Sequence, residues 1–119
     1  MKNVGLSLCV AALVGTGAFA QGQPPAINRL SINSQSVAHC GFSGSPGPGK
    51  FLRNNSTSER ITATVTIHLT WVSGNRTDTR TIALEPSAVE FLGCDVFYGG
   101  TQGPPQTNAT YTVTGARYG

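Results

Sequence analysis

Between residues 60 and 72 apolar and polar side chains alternate without a break, with Ile61, Ala63, Val65, Ile67, Leu69 and Trp71 on one parity and Thr62, Thr64, Thr66, His68 and Thr70 on the other. Successive side chains of an extended chain point to opposite faces. A period of two over this length therefore predicts a long strand with one face in a core and one in water. Threonine favours strands, so propensity agrees with pattern. Ser73, Gly74 and Asn75 supply turn chemistry, and residues 76–84 return as a second strand, which makes a hairpin. In that returning strand Asp78 and Arg80 share the register of Ile82 and Leu84, which predicts that its first half projects beyond the core.

Glu85, Pro86 and Ser87 break the run, and residues 89–96 read as a third strand directing Val89, Phe91 and Cys94 inward, with Gly93 marking a bulge or a close approach. On the N-terminal side, residues 26–33 and residues 35–42 read as two short strands. A Gly/Pro-rich stretch at 41–50 follows them, and a short extended piece at 51–53. Beyond the loop at 99–107, which holds Pro104 and Pro105, alternation resumes at 109–114 as a final strand. No segment repeats at 3.6 residues. Six or seven short strands without a helix predict an all-β fold, a small antiparallel β-sandwich.

The first twenty residues have a different character. Lys2, an apolar run from Val4 to Val14 and small residues ending in Ala18, Phe19 and Ala20 follow the basic, apolar and A-x-A order of a secretory signal peptide. The expected division is therefore a cleaved signal peptide at 1–20 and one domain at 21–119. Gly5, Ser7 and Gly15 interrupt the run, which is shorter than the roughly eighteen apolar residues of a retained span. Leu8 before Cys9 does not fit a lipid-modification site. Cleavage after Ala20 removes Cys9 and leaves Cys40 and Cys94, the natural ends of one disulfide in an oxidising compartment. Closing that loop is worth on the order of 4 kcal/mol in the chain-entropy picture. The expected location is secreted or periplasmic, with no membrane span after cleavage.

The run Thr81-Ile82-Ala83-Leu84-Glu85-Pro86-Ser87, followed by Val89 and Phe91, resembles the strand, corner and strand of exported bacterial immunoglobulin-like modules, with Ser87 where a glycine usually stands. Cys40, Trp71 and Cys94 are similar to the cysteine, tryptophan and cysteine of immunoglobulin domains, although Leu92 occupies the position of their corner tyrosine. The resemblance implies an immunoglobulin-like β-sandwich of six or seven strands with one disulfide. It implies a scaffold that binds, spaces or packs, and assigns no particular function.

Charge and chemistry narrow the function further. After residue 20, Lys50 and six arginines stand against five acids, a net charge of +2, and they are scattered. No basic stripe with interleaved aromatics marks a nucleic-acid interface. Residues 44–50 meet the glycine and lysine spacing of a phosphate loop, yet Pro46 and Pro48 lack N–H donors and Phe51 follows Lys50, so the stretch reads as a surface loop. Metal ligation would draw on Cys40, Cys94, His39 and His68. Export favours oxidation of the cysteines, and adjacent His39 and Cys40 point to opposite faces, so no metal or cofactor is expected. No nucleophile elbow and no paired acids point to catalysis. Asn54, Asn55, Asn75 and Asn108 begin N-x-S/T sequons, a signal with meaning only where glycosylation operates. Phe97, Tyr98, Tyr111 and Tyr118 form a possible binding surface, since tyrosine joins apolar area to a polar tip. The expectation is a non-enzymatic exported binding or structural domain whose partner, a protein or a cell-envelope polymer, stays open. Two alternatives remain: a secreted inhibitor of a hydrolase acting through 41–50 or 99–107, and a metal-binding envelope protein using the cysteines and a histidine.

Overall fold

The alternating run from Ile61 to Trp71 is the centre of the molecule. In a computed structural model that describes residues 23–98 and 106–119, it forms the strand β3 (Ile61–Trp71), paired on one side with β4 (Gly74–Leu84) and on the other with β7 (Thr107–Tyr118). The expected signal peptide, and all of the 99–107 loop except its last two residues, lie outside the described residues. A two-residue strand, β6 (Val96–Phe97), completes a four-stranded antiparallel sheet in the order β4-β3-β7-β6. Facing it is a three-stranded antiparallel sheet, β1 (Leu30–Val37), β2 (Gly47–Asn54) and β5 (Val89–Cys94), in the order β1-β2-β5. Short 3-10 turns at Ala26–Arg29 and Phe42–Gly44 precede β1 and β2. Among the described residues the fold is all-β, with two antiparallel sheets, seven strands and the Cys40–Cys94 disulfide. Among the described residues no helix is long and apolar enough to cross a membrane.

The core lies between the sheets where the sequence pattern placed it. Ala63 and Val65 of β3 and Ile82 and Leu84 of β4 meet Leu52 of β2 and Leu92 of β5, with Leu30, Ile32, Tyr111 and Val113 packed around them. Past Val65 the inner face of the large sheet is only partly covered, so the hairpin projects as its charges predict. Arg76 and Asp78 pair there at 3.0 Å, and Arg80 reaches across to the Leu92 carbonyl at 3.2 Å.

Three expectations change. Residues 30–37 form one strand rather than the ends of two, because unbroken pairing with β2 holds the Asn33-Ser34 region extended, while Ala26–Arg29 turns instead of pairing. β2 starts at Gly47, inside the Gly/Pro-rich stretch. Pro48 is tolerated there because the ladder to β5 begins only at Gly49, and the Pro48 carbonyl accepts from the Asp95 N–H at 3.0 Å. In β5 the buried residues are Leu92 and Cys94, while Val89 and Phe91 are exposed. Leu92 takes the place in the core, so Val89 and Phe91 face the other way, and the bulge at Gly93 returns Cys94, opposite Gly49, to the face that carries Phe91, opposite Phe51.

The opposite end of the sandwich is stitched by a polar residue. Asn54 is fully buried, its side-chain amide donating to the carbonyls of Glu59 at 2.8 Å and of Leu84 and Glu85 at 3.2 Å, while its oxygen accepts from the Ser56 N–H at 2.9 Å. One side chain therefore ties the end of β2 to the approach to β3 and to the β4–β5 corner.

Candidate functional site: an aromatic cleft beside the disulfide

The end of the sandwich where β2 begins and β5 finishes is built around Cys40 and Cys94. Their bond fastens the residues that follow β1 to the last residue of β5. The loop between Cys40 and β2 is held closed on itself: the Gly41 N–H donates to the Ser45 carbonyl at 2.6 Å, and the Ser45 hydroxyl donates to the Phe42 carbonyl at 2.7 Å. Gly47 permits this closure, because a Cβ at that position would lie 2.5 Å from the Cys40 carbonyl oxygen. Ser43 stands in the left-handed region at φ 57, a costly conformation for a residue with a side chain.

What this loop displays is Phe42, which is 66% exposed. Its ring meets Tyr98 edge to face, with centroids 5.6 Å apart. Between the loop and the β5–β6 crossing lies a cleft of about 390 Å³ lined by His39, Ser43, the disulfide, Phe91, Val96, Phe97 and Tyr98. Phe91 continues outward to Phe51, with ring centroids 5.1 Å apart on the outer face of the small sheet. Three exposed aromatic rings, Phe91, Phe97 and Tyr98, thus line one disulfide-floored opening, and a fourth, Phe42, stands against Tyr98 beside it. Exposed aromatic groups gathered in this way mark interaction surfaces more strongly than the same residues scattered singly.

The structure separates the four aromatic residues that the sequence grouped. Phe97 and Tyr98 meet at the cleft. Tyr111 points between the sheets, and its hydroxyl donates to the Cys94 carbonyl at 2.8 Å beneath the cleft floor. Burial is the main reason its pKa is raised above the ordinary tyrosine value; the Asp95 charge adds to the rise and Arg80 opposes it. Tyr118 lies at the other end of β7, where its hydroxyl donates to the Pro24 carbonyl. Sequence reasoning missed Phe42 and Phe91 as surface groups. Phe42 lay at the end of an expected strand, and Phe91 had the parity assigned to the core. Leu92 was the available signal, because an apolar residue of the opposite parity in the core turns Phe91 outward.

Polar groups bracket the cleft. Lys50 pairs with Asp95 and donates to the Ser34 hydroxyl at 2.8 Å, which fixes the residue that links β5 to β6. The Asp95 carbonyl in turn accepts from the Ala109 N–H at 2.8 Å, tying that link to β7. With their sulfurs bonded to each other, Cys40 and Cys94 present no thiolate to a metal or a substrate. His68 sits on the polar face of β3 beside Thr77 at 3.2 Å, away from His39.

Compared with known proteins, the chain matches no family model, no curated sequence and no solved structure.

Proposed function

We propose that this protein is a non-enzymatic exported binding domain that holds a partner at the aromatic cleft beside Cys40–Cys94. The observation that carries the reading is the exposure of Phe91, Phe97 and Tyr98 around one opening, with Phe42 against Tyr98 on a loop held closed by hydrogen bonds, glycine packing and a disulfide. Aromatic anchors on a preorganised loop bind with little ordering cost. The signal-like residues 1–20 and the disulfide support a secreted or periplasmic setting, with an immunoglobulin-like module as the scaffold. Among the described residues the cleft lining includes His39 and Ser43 without a carboxylate to orient the histidine, which supports binding over catalysis. The partner is a protein or a cell-envelope polymer of the producing cell.

The test is retention of the purified domain on that cell's own envelope and secreted fractions, comparing wild type with Phe42→Ala and Tyr98→Ala together. Both positions are exposed, so the variant is expected to unfold at the wild-type temperature while retention falls at least about tenfold, the effect of removing interface anchors. Equal retention of the two proteins would overturn the cleft as the binding site.

A second reading, inhibition of a hydrolase through the loop at 41–50, is favoured by one observation: Phe42 projects from a loop whose root is a disulfide cysteine. It requires inhibition of a peptidase with an aromatic-accepting pocket, abolished in Phe42→Ala. Inhibition unchanged in that variant would dismiss it.

A further inference from the structure

A sheet margin exposes a row of backbone N–H and C=O groups that only another strand can pair in full, so natural proteins blunt it with charge, proline, a bulge, shortness or a cover. Three of the four margins here carry such devices. β4 turns Arg76, Asp78 and Arg80 toward the inner face. β5 is short and bulged at Gly93, where its register with β2 shifts. β6 is two residues long, and past it the margin of β7 is bulged at Thr114, where its register with β3 shifts, and packs against the Ala26–Arg29 turn.

β1 carries none of them. Its eight residues, Leu-Ser-Ile-Asn-Ser-Gln-Ser-Val, contain no charge, proline or glycine, and their register with β2 is unbroken from Leu30 to Val37. Residues 33–36 are exposed, and among the described residues no strand pairs with the outer margin. Every second residue of β1 therefore directs its backbone polar groups outward.

We propose that β1 pairs antiparallel with β1 of a second copy of this chain, joining two three-stranded sheets into one continuous sheet. The occupant follows from charge and symmetry. A two-fold pairing sets each residue against one from the same short segment, and a neutral segment meets itself without repulsion. With the axis at Ser34, Asn33 of each copy lies across from Gln35 of the other, so their amides can hydrogen-bond along the outer face. On the inner face Ile32 lies across from Ser36, and the half-buried Leu30 and Ile32 gain cover beside the seam. The same operation on β4 would bring two strands of inward charges together, so β1 is the margin that accepts a copy.

The experiment is sedimentation equilibrium of the disulfide-bonded protein over a micromolar concentration series, with Asn33→Lys and Gln35→Lys combined as one variant and Thr79→Lys and Thr81→Lys on β4 as a control of equal added charge. The expected result is a reversible wild-type dimer, association weakened at least about tenfold by the β1 lysines that now face each other, and no change in the control. All four positions are exposed, and circular dichroism and thermal unfolding verify the fold of each variant. A wild-type protein that stays monomeric throughout the series overturns the proposal, including when its β1 is found to bind a strand from a different protein. So does a dimer that survives the β1 lysines.

Discussion

Two side chains carry more of the fold than their types announce. Asn54, itself fully buried, satisfies three backbone carbonyls and one backbone N–H. Asn54→Ala leaves those groups unpaired, with an expected loss of about 3 kcal/mol in urea unfolding, the cost of stranding buried polar groups. In sequence Asn54 was only the first residue of a sequon. Its burial depends on where the β4–β5 corner comes to rest, which no local pattern encodes. Tyr111 is the second. Its pKa is raised chiefly by burial, so the fold prefers the neutral phenol. The stability this gives is complete below the unfolded value of about 10 and is lost as pH rises through the higher folded value. Tyr111→Phe should therefore be less stable than wild type near neutrality, by about 1 kcal/mol for the lost bond to the Cys94 carbonyl. Its melting temperature should fall less steeply above pH 10, and parallel curves would show that the phenol does not titrate differently on folding.

At the scale of elements, the large sheet was legible and the small one much less so. β3 and β4 declare themselves because each inward position along half their length is apolar, and the charges of β4 mark where cover ends. β1 and β2 are polar or rich in glycine and proline, so their pairing, rather than any pattern of their own, makes them strands. The candidate site inherits that difficulty. Its disulfide and Tyr98 could be read from sequence, but Phe42 and Phe91 depended on a turn and a parity fixed in three dimensions. Gly93 was readable and is a sharp test of the bulge. Its φ of +151 disfavours any side chain, and a Cβ there would collide with the Tyr111 hydroxyl. Gly93→Ala should cost on the order of 2 kcal/mol and displace Tyr111, seen as loss of the protected Tyr111 hydroxyl environment by NMR.

Over the whole molecule the two ends are held by different means, the Asn54 network at one and the disulfide at the other. Replacing Cys40 and Cys94 by alanine should cost about 4 kcal/mol of stability. If the variant is still folded at low temperature, hydrogen exchange should quicken first around residues 40–47 and 94–98, with β3 amides the last to exchange. Uniform acceleration would mean that the cleft and the core open as one unit. The positions of the described chain ends add a directional consequence. Pro24 and Tyr118 are hydrogen-bonded to each other, and the Gly119 N–H reaches the Arg60 carbonyl at 2.9 Å, so both ends meet beside the start of β3, a sandwich length from Phe42. A tether joined at Pro24 or at Gly119, whether a bead, a surface or a fused protein, would hold the described domain with its aromatic end facing away from the point of attachment.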